Sequence, residues 1–342
     1  MTSLRTRTLF VALLAGMLWP VSRLEAQVRI RLATLAPKGT VYHQALQGMA
    51  EDWRQAPGGG VALTIYTDGT MGSEPEMVRR MRIGQIQAAL LTTIGMAEIE
   101  HSVTALQDMP MMFRSVDEME HVRAALRSDL EKRFLDKGFV VLAWGDTGWV
   151  RFFSRQPALR PDEFKSMRMF ASASDQDQIE IMKSVGYRPV PLEWTDVLTG
   201  LQTGLIDAVP SAPMIALAGQ YFTVTHHMLD VNWVPLVGGL VVTKKAWDST
   251  PEAARARLRR AAEMASAQIQ RRSRVEEEEA IAAMQKRGLV VHPLTPELQA
   301  EWRRTAESFY PRIRGSIVPA DVFDKVQQVL AQYRAEKAKA AL

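Results

Sequence analysis

The stretch from Asp162 to Ala212 constrains the fold most, because extended segments alternate there with helices. An apolar extended run at 165–171 precedes apolar residues at helical spacing over 175–185. A second extended run follows at 187–192, and a buried strand is predicted at 205–209. Strands that alternate with helices predict a parallel sheet, in which ligands bind beyond the carboxyl ends of the strands.

Composition narrows the class of protein. The 342 residues are 47% hydrophobic and 23% charged, which is ordinary for a globular protein with a sizeable core. A net charge of +4 is too weak to indicate a nucleic-acid partner. The sequence has no cysteine, which excludes disulfides, thiolate metal sites and a lipid on cysteine.

The first 26 residues have the pattern of a secretory signal peptide. Arg5 and Arg7 precede an apolar run at 9–21, and Ala26 offers a small residue at the cleavage site. We therefore expect residues 1–26 to be removed and the mature protein to be periplasmic. The alternative is an uncleaved N-terminal anchor, although Pro20 interrupts the run before it reaches the length of a membrane-spanning helix.

Several motifs occur in an order typical of one family. Gly186–Asp207 contains P-x-P, an aromatic residue and L-Q-T-G-x-I-D, while Gly69–Glu76 and Asp108–Arg114 carry two shorter motifs nearer the N-terminus. This set resembles the solute-binding subunits of TRAP (tripartite ATP-independent periplasmic) transporters, the DctP-like family. The resemblance covers nearly all of the chain after residue 26.

The resemblance implies an α/β, two-lobed, periplasmic-binding-protein-like fold of type II, with hinge strands and a long interdomain helix. It places the first lobe at 27–147 plus 237–276, and the second lobe at 148–236 plus 277–342. The sequence itself predicts a very long helix at 251–287. A cleft between two such lobes is a natural ligand site.

The expected ligand site departs from the family pattern. The arginine that clamps a carboxylate in the family falls at Phe170, and the asparagine beside it falls at Ser211, which indicates a divergent branch lacking the usual arginine. Trp194 occupies the aromatic position after P-x-P, with core packing as its alternative role. A more apolar pocket follows from these exchanges, because burying an unpaired carboxylate is costly.

A second ligand-facing arginine of the family falls at Val150, one residue before Arg151. A shift of one residue in a strand reverses the face, so Arg151 can face either the pocket or a salt bridge outside it. Arg168 is a competing candidate, since it lies two residues from Phe170 on the same strand face. The candidate ligand-binding residues are Thr34, Thr92, Trp149, Arg151, Arg168, Phe170, Trp194 and Ser211.

The leading functional hypothesis is an extracytoplasmic receptor that captures a rather hydrophobic organic acid or lipid-like molecule and delivers it to TRAP membrane permease subunits. The alternatives are a ligand sensor for a receptor kinase and an exported enzyme; no G-x-S-x-G or H-E-x-x-H motif favours the enzyme. We expect a monomer without a cofactor. We expect no metal site either, because the adjacent His226 and His227 point to opposite faces of a strand.

Overall fold

The computed structural model describes residues 27–340. The predicted signal peptide at 1–26 lies outside the described residues. Within 27–340, no helix combines the length and the apolar character that crossing a membrane requires.

Eleven strands and twelve α-helices make up the described part of the chain. The strands are β1 Val28–Thr34, β2 Val61–Tyr66, β3 Ala88–Thr92, β4 Phe139–Trp149, β5 Arg151–Ser154, β6 Arg168–Ser172, β7 Arg188–Leu192, β8 Ala208–Ser211, β9 His227–Asp230, β10 Pro235–Thr243 and β11 Val290–Pro293. The helices are α1 Val41–Arg54, α2 Glu74–Arg82, α3 Thr93–Ala97, α4 Val116–Asp136, α5 Pro161–Lys165, α6 Gln176–Ser184, α7 Val197–Gln202, α8 Pro213–Ala218, α9 Lys244–Asp248, α10 Glu252–Gln285, α11 Pro296–Ile313 and α12 Ala320–Ala340. Three short 3-10 helices complete this part of the chain at His101–Leu106, Trp194–Asp196 and Tyr221–Thr223.

The strands form two sheets, one in each lobe. The first has the order β2-β1-β3-β10-β4, and the second has the order β11-β9-β5-β8-β6-β7. In the first sheet β1 is parallel to β2 and β3, whereas β10 runs antiparallel to β3 and β4. In the second, β6 is parallel to β7 and β8. The two-lobed α/β fold is therefore confirmed, as is the parallel sheet predicted for 162–212, although its last strand is β8 and not 205–209.

The chain passes between the lobes four times, and the last passage, at 314–319, leads from α11 to α12. The chain first passes from β4 to β5 at Val150, and it returns through residues 231–234 between β9 and β10. Helix α10, with 34 residues, is the third connection: it packs on α1 and β4 of the first lobe and on α8 of the second. The two strand crossings are hydrogen-bonded to each other, because the Val150 N–H donates to the Val234 carbonyl at 2.9 Å.

The C-terminal helix differs from the predicted division of the chain, which assigned all of 277–342 to the second lobe. Helix α12 packs against α4 and the 3-10 helix His101–Leu106 of the first lobe. Arg334 forms an ion pair with Glu118 at 2.7 Å there. The physical reason is the apolar face of α12, whose Phe323 and Val326 are buried in a core cluster shared with α4.

Candidate functional site

A cavity of about 560 Å³ lies between the lobes at the carboxyl ends of the parallel strands. Its lining includes the last residues of β1, β3, β6 and β8, and residues of α6, α8, α10 and α11. Members of all three hydrophobic core clusters contribute to this lining. The cavity therefore extends across the cleft and is not a void within one core.

In the first lobe, the candidates Thr34 and Thr92 line the cavity at the ends of β1 and β3. The Thr34 hydroxyl accepts from the Ala36 N–H at 3.1 Å. The Thr92 hydroxyl donates to Glu74 at 2.6 Å, and the Glu74 carboxylate also accepts from the N–H groups of Thr92 and Gly95. Burial nevertheless raises the pKa of Glu74. These bonds fix the loop after β3 at the edge of the cavity.

In the second lobe, the candidates Phe170, Trp194 and Ser211 line the opposite side. The rings of Phe170 and Trp194 pack edge to face with centroids 4.7 Å apart. Phe170 is buried and Trp194 is half-buried, so the pair joins the core to the cavity surface. The Ser211 hydroxyl donates to the Ala212 carbonyl at 3.2 Å.

Arg151 lies outside the cavity lining, in a network that joins the first three connections between the lobes. Its Nε donates to Asp230 Oδ1 at 2.8 Å, and its Nη2 is 3.0 Å from Glu277 Oε1. Asp230 ends β9, and Glu277 belongs to α10. The side chain of Trp149 is buried in the core and does not line the cavity.

A close contact supports this network. Gly148 has φ +94°, and a Cβ atom added there would lie 2.4 Å from the carboxylate of Glu277. Only glycine combines this conformation with the space that the carboxylate occupies. Burial raises the pKa of Glu277, and the Arg151 charge partly offsets that increase.

Arg168 also lies away from the cavity, contrary to the reasoning that placed it beside Phe170. It begins β6 and forms a two-pronged ion pair with Asp207, with both N···O distances at 2.8 Å. Its side chain is 51% exposed. Arg168 shares a strand face with Phe170, but it lies at the amino end of the strand while the cavity lies at the carboxyl end.

Val150 lines the cavity, whereas its neighbours Trp149 and Arg151 do not. This alternation follows from the extended backbone at the crossing, where successive side chains point to opposite faces. Both positions that the family resemblance gives to a clamping arginine, Val150 and Phe170, therefore line the cavity, and both carry apolar side chains.

The charged groups of the lining are all acidic. Among the described residues that line the cavity there is no lysine, arginine or histidine, and four carboxyl groups are present: Asp68, Glu74, Asp108 and Asp175. Burial, and next the charge of Asp175, raise the pKa of Asp108 well above its usual range. Burial also raises the pKa of Asp175. A carboxylate ligand would find no cation among these side chains.

Sequence reasoning missed several residues of the lining. Trp233, in the return crossing, contacts Phe152 and Trp302 with ring centroids 5.4 and 5.5 Å apart. Asp108 stands in a motif that pointed to the family, and its position just after the 3-10 helix gave no signal of a pocket. Tyr187 is only 8% exposed, and its hydroxyl has no hydrogen-bond partner among the described residues.

Two lobes joined by several chain crossings, with a cavity between them at the carboxyl ends of parallel strands, are the architecture of a solute-binding protein. Residues 32–315 match the family model described as DctP, bacterial extracellular solute-binding protein, family 7. The chain belongs to that family.

Relatives and solved structures agree with this assignment. The chain is 27% identical over 256 residues to the 2,3-diketo-L-gulonate-binding periplasmic protein YiaO of Escherichia coli, covering 72% of this chain and 75% of YiaO. It is 25% identical over 255 residues to the C4-dicarboxylate-binding periplasmic protein DctP of Rhodobacter capsulatus, covering 71% and 74%. A TRAP periplasmic solute-binding protein of Ralstonia eutropha, solved with (S)-2-acetolactate, has the same fold, with a TM-score of 0.81 at 19% identity over 90% of this chain and 99% of that one.

Proposed function

We propose that this protein is the periplasmic receptor of a TRAP-type transporter and that it captures a hydrophobic small molecule between its lobes. The observation that carries the proposal is the apolar character of Val150 and Phe170 at the two clamp positions. Ligands of the relatives named above are acids, for which a cation is the natural partner. We infer that this chain belongs to a branch that lacks the usual carboxylate-binding arginine.

The two remaining candidate arginines are already paired with carboxylates of the protein, which supports this inference. Arg151 is held by Asp230 and Glu277, and Arg168 is held by Asp207, each at hydrogen-bonding or ion-pair distance. Recruiting either guanidinium to a ligand would first require breaking those pairs. Phe170 and Trp194 instead offer an aromatic surface that favours an apolar body.

The proposed mechanism is hinge closure. A ligand that contacts both lobes stabilises the closed arrangement, since only the closed state makes both sets of contacts. The closed, loaded protein is then the form that membrane permease subunits recognise. We propose that the receptor acts as a monomer, in the periplasm after removal of residues 1–26, and that it binds and releases its ligand without chemical change.

Native mass spectrometry of protein purified without refolding tests the ligand class directly. We expect a co-purifying molecule with a substantial hydrocarbon part. Thermal shift with succinate is the companion assay, with the Phe170→Ala variant as its control. The proposal would be contradicted if succinate bound tightly and if Phe170→Ala left that affinity unchanged.

A further inference from the structure

The polar end of the cavity has an unusual feature, carboxyl groups with few partners. Asp68 accepts from the Lys38 N–H at 3.1 Å, and Asp175 accepts from the Gln178 N–H at 3.0 Å. Glu74 has three donors. Burial has the larger effect on the pKa of Asp108 and raises it, while the neighbouring side chain of Gln107 lowers it. Asp68, Asp108 and Asp175 therefore each retain capacity to accept from a ligand, and Glu74 retains the least.

Asp108 belongs to the first lobe and Asp175 to the second, and both line the cavity, so the two carboxyl groups face the same space from opposite lobes. The other charged groups near them are Asp177 and His101, whose Oδ2 and Nε2 atoms are 3.9 Å apart. Burial, and next the charge of Asp175, make ionisation of Asp108 costly. A hydrogen-bond donor placed between the two groups reduces that cost.

An apolar track leads away from this acidic pair along α6. The cavity lining includes Gln178, Ile181, Met182 and Val185, whose spacing places them on one helical face. Gln178 is the polar end of this face, and the other three residues are apolar. The track is about 10 Å long at the rise of an α-helix. Beyond it lies the buried hydroxyl of Tyr187, which has no partner within residues 27–340 and also lines the cavity.

We propose that the ligand of this cavity is an amphiphile whose polar end is a hydrogen-bond donor, a hydroxyl or an ammonium group, bound between Asp108 and Asp175. Its hydrocarbon body lies along the α6 track. This inference rests on the proposed receptor function and adds the sign of the ligand's charge: the polar end is neutral or positive, never a carboxylate.

Three probes with one hydrocarbon chain test the inference: 1-decanol, decylammonium and decanoate, titrated at pH 7.5 with tryptophan fluorescence as the readout. Trp194 and Trp233 line the cavity and report occupancy. We expect decanoate to bind at least about tenfold more weakly than the tighter of the other two, because its charge has no cationic partner in the lining. Isothermal titration in two buffers measures the proton released when the ammonium binds.

Asp108→Asn supplies the mutational test, and Asp177→Asn is its matched control, because Asp177 carries the same charge nearby but does not line the cavity. We expect the Asp108 variant to weaken the better probe by about tenfold and the Asp177 variant to leave it nearly unchanged. Thermal unfolding without probe checks that both variants fold.

The possible outcomes distinguish a failure of the proposed polar end from a failure of the proposed hydrophobic ligand. Decanoate binding as tightly as the other probes, or an Asp108→Asn variant with unchanged affinities, would overturn this inference and leave the receptor proposal intact. Failure of all three probes to bind would instead refute the proposed hydrophobic ligand, and this inference with it. A preference for decanol or for decylammonium identifies which donor the pair accepts.

Discussion

Replacing Arg151 with methionine should destabilise the fold rather than remove a ligand contact. The substitution keeps much of the apolar volume and deletes the charge that Asp230 and Glu277 share. The Glu277 side chain is only 13% exposed, whereas that of Asp230 is 44% exposed. The loss should therefore arise mainly from Glu277, which is left as a buried charge without its cation.

The magnitude follows from this difference in exposure. Removing one partner of a buried ion pair costs about 3–5 kcal/mol, and the accessibility of Asp230 to water places Arg151→Met near 3 kcal/mol, the lower end of that range. Urea unfolding followed by tryptophan fluorescence measures the loss, with an unchanged slope as the check on a common unfolded state. Arg168→Met is the matched control, and its effect should be much smaller because that arginine is exposed.

A double mutant isolates the interaction. The double variant Arg151→Met/Glu277→Gln leaves no buried charge at 277 without a partner. It should therefore recover a large part of the stability that Arg151→Met alone loses. Simple addition of the two single losses would show that the residues are not coupled. Wild-type stability with lost ligand binding in Arg151→Met would refute the structural role and make Arg151 a ligand-binding residue.

The same variant should be sensitive to pH in a defined direction. Burial already raises the pKa of Glu277, and removal of Arg151 raises it further. A carboxyl group whose folded pKa is raised stabilises the folded state less as pH rises from its unfolded value of about 4.3 through the folded value. The deficit of Arg151→Met should accordingly be smaller at low pH, where Glu277 is protonated, than at neutral pH.

Two further predictions concern processing and motion. Mass measurement of periplasmic material should show a protein that begins at Gln27, and retention of residues 1–26 would favour an anchored form instead. Solution scattering should show a smaller radius of gyration when the natural ligand identified by mass spectrometry is added, because closure brings the lobes together. A stabilising ligand that leaves the radius unchanged would argue against hinge closure.

The parallel half of the second sheet was predictable from sequence because its signals are local. Gly186 and Gly204 end two helices, and both have positive φ in the structure. The rule that ligands lie beyond carboxyl strand ends agrees with the position of the cavity, and Phe170 and Ser211, which the family resemblance placed in the ligand site, line it. The same rule argues against Arg168, because this residue lies at the amino end of β6. Periodicity shows which face of a strand a residue is on, but it does not show how near the residue is to the carboxyl end.

Other features could not be read from sequence because they depend on contacts between distant segments. The apolar face of α12 indicates burial, but its periodicity does not say which lobe covers it. Likewise, the acidic character of the lining appears only in the folded protein, where Asp108 and Asp175 from different lobes line one cavity. Neither residue stands in a pattern that indicates its partner.

At the crossing 148–151, a shift of one residue along the chain decides whether a side chain faces the cavity or the opposite side. Val150 donates to the Val234 carbonyl, and its own carbonyl accepts from the Trp233 N–H at 3.2 Å, so the two crossing strands hold the backbone extended. Extended backbone sends Val150 toward the cavity and Arg151 away from it. On that other face lie Asp230, at the end of β9, and Glu277 of α10. An arginine at 150 would face the cavity, whereas Arg151 pairs with Asp230 and Glu277 where the lobes are joined. The described residues that line the cavity therefore include no cation.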